Sequence, residues 1–130
     1  MPPSSSKRHI EWFAKASEDE LSIRAVLNGG APSTACFLSQ QMAEKYLKGL
    51  AVFHGKSFPK VHDLFVLETI LMDVEPDINS IHEDLKHLNR YYIETRYPGD
   101  YPQFTVEEGR TAYEAAERVK NFVISRAIKE

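Results

Sequence analysis

A single cysteine, Cys36, occurs among the 130 residues, so the chain can form no internal disulfide. With the histidines scattered, the familiar zinc-finger spacings cannot be written either. Long apolar runs are also missing. Every run falls far short of the roughly 20 residues needed to cross a bilayer, and Met1-Pro2-Pro3-Ser4-Ser5-Ser6 lacks a signal-peptide core. These absences lead us to expect a soluble cytoplasmic protein with no membrane partner. Positive charge is not in excess: a formal net charge of −3 and a pI near 6.0 argue against coating duplex nucleic acid by charge alone. Any polyanion must be met by a local patch. A Gly-rich phosphate loop is absent too, because Gly29-Gly30 follows a helical stretch rather than a strand and reads as a helix C-cap. What remains is a 42% hydrophobic chain with seven Phe, six Tyr and one Trp, enough to build one core. We therefore expect one domain over residues 1–130, with residues 1–6 as a flexible tail.

Helical spacing with punctuation at both ends recurs about five times, and alternation of period two is scarce, so the fold is expected to be all-α. The first helix should span about residues 7–27. Ile10, Phe13, Ala14, Leu21 and Ala25 fall on one side of it, and Trp12, Ala16, Ile23, Val26 and Leu27 fall nearly opposite. Two apolar faces need two partners, which suggests that one packs in the bundle and part of the other meets a second subunit. The next helix follows Pro32-Ser33 and runs to about Phe53, with Cys36, Ala43, Tyr46, Leu47 and Leu50 inward and Gln41, Glu44, Lys45 and Lys48 on a solvated face. A short helix should begin at His62-Asp63, with Asp63 as its cap and His62 bonded into the bundle. Ile78, Ile81, Leu85, Leu88 and Tyr92 then form a seam on a helix capped by Asn79 or Ser80. Thr95 to Gln103, with two prolines and a glycine in Arg96-Tyr97-Pro98-Gly99-Asp100-Tyr101-Pro102, should be irregular. The last helix opens on Thr105-Val106-Glu107-Glu108, a capping box, and carries Ala112, Ala115, Ala116, Val119, Phe122 and Val123 inward. An antiparallel up-and-down bundle of about five helices follows.

Gln41-Met42-Ala43-Glu44-Lys45-Tyr46-Leu47-Lys48, then His62-Asp63-Leu64 about fourteen residues later, resembles the HEPN domain family. In that family an Ala-x-x-Asp element on the first helix precedes a Gln-x-x-Glu-Lys-x-Leu-Lys helix, and His-Asp-Leu opens the third. Ala16 and Asp19 match the first element, so the resemblance covers essentially residues 7–128. It implies a helical bundle, usually dimeric, often encoded beside a small nucleotidyltransferase domain, with members that bind nucleotides or cleave RNA. The cleaving members carry Arg, four to six residues, then His late in the bundle. That pair is absent here, because His87 is the last histidine and neither Arg90 nor Arg96 has one downstream.

Candidate phosphate contacts are Lys45, Lys48, Arg90 and Arg96, since Arg offers forked donors and Lys a mobile charge. Glu44 and Lys48 also read as an i,i+4 surface pair. The stretch Arg90-Tyr91-Tyr92 through Arg96-Tyr97 mixes guanidinium groups and rings able to stack bases, although Tyr92 fits the core seam and Arg96 and Tyr97 suit a loop closure. His82 and His87 lie five residues apart and read as solvated surface. His62 and Asp63 lack a third metal ligand, Cys36 reads as a small core residue, and no metal, cofactor or catalytic residue is implied. The expectation is a non-catalytic HEPN-like homodimer that binds nucleotide or nucleic acid as partner of a nucleotidyltransferase-type protein. The alternatives are a divergent, toxin-like ribonuclease and a purely structural subunit, for instance one resembling an antitoxin.

Overall fold

The computed structural model describes residues 8–92 and 103–127, in which five α-helices and one 3-10 turn account for the regular structure. Helix α1 (Arg8–Asn28) ends at Gly30, whose φ of 84° lets Gly30 and Ala31 donate back to the carbonyls of Leu27 and Val26. This is the glycine-dependent helix stop anticipated at Gly29-Gly30. Helix α2 (Pro32–Phe53) starts on a proline and stops in the same way at Gly55, where φ is 70°. The short link makes α1 and α2 an antiparallel hairpin. A Cβ at Gly49 would lie 2.5 Å from Phe13 Cε1, so its absence allows α1 to press closely on α2.

Helix α2 is the centre of the bundle, packing most extensively on α1 and α5 (Val106–Ala127) and also on α3 (Leu64–Leu71) and α4 (His82–Asn89). Cys36, Ala43, Tyr46, Leu47 and Leu50 are buried as expected, together with Leu64, Leu67, Leu71, Leu85, Leu88 and Val119. Burial holds the Cys36 thiol up at about 11, as befits a packing residue. The capping box is formed: Thr105 Oγ1 accepts from the Glu108 N–H at 3.1 Å, and Glu108 Oε1 accepts from the Thr105 N–H at 2.8 Å. Asp63 caps α3, its Oδ1 accepting from the Phe65 N–H at 2.9 Å.

Four expectations are corrected. The polar side of α2 is not solvated: Glu44 and Lys48 are buried and Gln41 and Lys45 half-buried, because α1 and the α2–α3 loop close over it. Neither Asn79 nor Ser80 caps α4, since the chain enters through a 3-10 turn (Pro76–Ile81) and Ile81 stands at the cap position without a side-chain bond. The seam ends on Tyr91 rather than Tyr92. After α4 the Tyr91 N–H donates to the Leu88 carbonyl at 2.9 Å, and such a tightened turn sets i and i+3 in line, so Tyr91 is buried above Leu88. Finally, His82 and His87 are not free surface: His82 Nδ1 meets Glu68 Oε1 at 2.9 Å with its ring stacked on Phe65, and His87 packs edge-on to Tyr91. Burial lowers the pKa of His87, with the neighbouring Arg90 charge adding to it. On α1, Ala16 and Ile23 are buried; of the opposite face Ile10, Ala14, Leu21 and Ala25 are exposed, whereas Phe13 turns inward and packs on Tyr46 with ring centroids 5.6 Å apart. No described helix is long and apolar enough to cross a membrane.

Candidate functional site

The spacing of α2 sets Gln40, Gln41, Glu44, Lys45 and Lys48 within little more than two turns. Helix α1 brings Asp19 to Lys45, whose Nζ lies 2.7 Å from Oδ2. Lys48 Nζ donates to Glu44 Oε2 at 2.9 Å with both side chains under a tenth exposed. The same ammonium lies 5.8 Å from the Trp12 ring centroid and 5.6 Å from that of Phe58. A buried charge pair survives only where its remaining hydrogen-bonding capacity is met. Here the further donors to Glu44 are His62 Nδ1 of the α2–α3 loop, 3.0 Å from Oε1 and 3.2 Å from Oε2, and the Nε2 amides of Gln40 and Gln41 on α2 itself, each 3.4 Å from Oε1. Gln40 Nε2 fixes the loop by donating to the His62 carbonyl at 2.8 Å, and Gln41 Nε2 donates to Gln40 Oε1 at 2.7 Å.

These contacts hold the His62 ring by one edge. With Nδ1–H donated to a carboxylate, the proton-free nitrogen of the neutral ring is Nε2, across from the buried side. The side chain is 46% exposed, and its ring stacks on Tyr92 with centroids 4.4 Å apart and planes 15° from parallel. His62 and Tyr92 line a cleft of about 460 Å³ with Lys60, Val61, Asp63 and Asn89. Asn89 is locked there, its Oδ1 accepting from the Leu64 N–H at 2.9 Å and its Nδ2 donating to Asp63 Oδ1 at 2.8 Å. A stacked pair of rings with a lysine at the rim is suited to a planar base carrying an anionic group.

The five residues singled out by sequence fare differently. Lys45 pairs with Asp19 and Lys48 with Glu44. Arg90 is exposed, with Nε donating to the His87 carbonyl at 3.0 Å, and it stands between the cleft residues Asn89 and Tyr92 in the chain. Arg96 and Tyr97 lie outside the described residues. Trp12, Phe58, Lys60 and Asn89 were not anticipated, because they converge from α1, a loop and α4 without sharing any period. The available clue was the adjacency of His62 to a capping Asp63, which ties the histidine to a fixed helix end. Among the described residues no group of three or more His, Cys, Asp or Glu side chains is placed to hold a metal ion.

One central helix bearing Gln41, Glu44, Lys45 and Lys48 is thus tied to Asp19 on α1 and to His62 before α3. The HEPN domain profile matches residues 10–127, and the chain belongs to the HEPN domain family. The crystal structure of TT1696 from Thermus thermophilus superposes with a TM-score of 0.77 at 30% identity, over 92% of this chain and 98% of that one. A crystal structure of an archaeal HEPN homologue gives 0.75 at 27% identity, over 92% and 97%. No curated protein matches the sequence.

Proposed function

We propose that this HEPN domain binds a nucleotide or nucleic acid in the His62–Tyr92 cleft, as a non-catalytic, cytoplasmic partner of a nucleotidyltransferase-type protein. The observation that carries the binding half is the half-exposed imidazole stacked on Tyr92 and anchored from beneath by buried Glu44. Lys60 lines the cleft and Arg90 stands at the helix end beside it, two cations able to meet phosphate. The exposed apolar side of α1, with Ile10 at 54% and Leu21 at 66%, supports a homodimer through that helix. Light scattering at micromolar concentration should give twice the chain mass, and a single-chain mass would refute the dimer.

The test of binding is thermal unfolding against nucleoside mono-, di- and triphosphates. A ligand at a hundred times its dissociation constant stabilises the folded state by about 2.7 kcal/mol. His62→Ala and Arg90→Ala should each reduce the shift, and an undiminished shift in both would clear the cleft of the role. A second reading draws support from the Glu44–His62 pair, since an imidazole oriented by a carboxylate can exchange a proton with a bound hydroxyl. A divergent ribonuclease built this way would cleave RNA and lose activity in His62→Ala. Intact RNA after long incubation would exclude it.

A further inference from the structure

The α2–α3 loop lines a second cleft besides the His62–Tyr92 one. Its residues Gly55, Lys56, Ser57 and Phe58 line about 420 Å³ together with Arg8, Trp12 and Val52. The Trp12 and Phe58 rings meet edge to face at 6.0 Å, and the buried Lys48 ammonium is drawn to both. That ammonium is balanced by Glu44, the same carboxylate that holds His62 in the first cleft. One buried pair therefore supports an aromatic wall in each cleft. The cations are unevenly committed: Lys56 binds Asp73 at 2.7 Å, whereas Arg8 makes no ion pair among the described residues. Lys60 lines the first cleft, on the same loop.

Resting on the proposed nucleotide binding at His62, we propose that the Trp12–Phe58 cleft is a second nucleobase subsite, and that the ligand is a single strand crossing the α2–α3 loop. Phe58 and His62 are four residues apart, so their backbones are separated by at most about 14 Å. A strand of a few nucleotides can therefore reach both rings. One base stacks on the His62–Tyr92 pair and another on the Trp12–Phe58 wall, while Lys60 and Arg8 face the phosphates at either end. Rings stack on any base, so this arrangement reads strand length rather than sequence.

Trp12 is the only tryptophan in the chain, which makes its fluorescence a local reporter of the second cleft. The experiment titrates the full-length protein with adenosine monophosphate and with a tri-adenylate RNA, following Trp12 emission and thermal unfolding together. Extending the mononucleotide should tighten binding by about tenfold, the contribution of one further stacked base, with quenching of Trp12 only by the trinucleotide. Arg8→Glu, an exposed substitution that leaves the core untouched, should remove most of that gain and leave mononucleotide binding unchanged. Phe58→Ala should remove it as well. Mononucleotide binding that is lost in His62→Ala, with no gain on lengthening, would overturn the second subsite and leave the first standing. A gain on lengthening without quenching of Trp12 would also overturn it, because the strand would then run elsewhere. Failure of both ligands to bind at all would overturn the two readings together.

Discussion

Glu20 and Glu44 are buried carboxylates on neighbouring helices, 5% and 4% exposed, and they serve different ends. Glu20 is closed off. Tyr113 donates to its Oε2 at 2.6 Å, Lys120 reaches Oε1 at 2.9 Å, and Arg24 completes the set at 3.2 Å, so the cluster joins α1 to α5 and goes no further. Burial and the bond to Glu20 push the Tyr113 hydroxyl up to about 12. Glu44 instead passes its bonding outward, through His62, to a ring at the floor of a cleft. A buried carboxylate whose partners all bind it from helix faces is a joint. One that orients an imidazole at a solvent boundary shapes a cleft.

The partners also differ in how far they can retreat. Lys48 is as buried as the carboxylate it binds, so Glu44→Ala strands an ammonium in the core and should cost about 3–5 kcal/mol in urea unfolding. Lys48→Met should cost clearly less, since Glu44 keeps His62 and the methionine fills the space beside Trp12 and Phe58. In the other cluster Arg24 is 58% exposed and Lys120 34%, so both can reach water once the carboxylate is gone. Glu20→Ala should therefore cost about 1–3 kcal/mol, mostly because the Tyr113 hydroxyl loses its acceptor and keeps only the bond it accepts from Arg24 Nε. Equal losses in Glu20→Ala and Glu44→Ala would erase the distinction. So would a Glu20→Ala variant that weakens nucleotide binding as much as Glu44→Ala does.

The same contrast marks what could be read from sequence. Helix ends were legible because their causes are local: the Gly30 stop, the Asp63 cap and the Thr105–Glu108 box each involve residues within a few positions. Helix α2's apolar stripe was legible by period alone. Its polar face was misread because periodicity shows which residues share a side but not what lies against them. Residues Gln41 to Lys48 look like any solvated strip until α1 supplies Asp19 and Trp12 and the loop supplies Phe58 and His62. Tyr91 displaced Tyr92 from the seam because a turn at Asn89-Arg90 tightened, a half-turn choice that spacing cannot fix. The family motifs pointed to Lys45 and Lys48, whose pairing with Asp19 and Glu44 no local spacing could show.

Acid should separate the clusters next. Burial raises the Glu20 carboxyl, but hydrogen bonds from Tyr113 and Lys120 and the charges of Lys120 and Arg24 outweigh it, so its pKa lies below the ordinary value. An unfolded glutamate titrates near about 4.3. The stabilisation from Glu20 is thus fully present above that pH and is lost as pH falls from there through the folded pKa. Between about pH 4.5 and 3, Glu20→Gln should show a flatter decline of unfolding free energy than the native chain. Parallel declines would mean that the α1–α5 joint holds no ionised carboxylate worth counting.

The smallest effect sharpens the contrast most. Asp19 and Lys45 pair at 2.7 Å but remain partly exposed, 15% and 26%, and such pairs are worth only about 0–1 kcal/mol. Lys45→Ala should barely move the unfolding midpoint. Because its ammonium is already spent on Asp19, it should also leave nucleotide binding where it was, although Lys45 sits in the family motif next to Glu44. His62→Ala, one loop away, should do the reverse, abolishing binding at small cost to the fold. A Lys45→Ala variant that bound nucleotide as poorly as His62→Ala would place the ligand on the α2 face itself. The Glu44 network would then be a binding surface rather than the frame behind one.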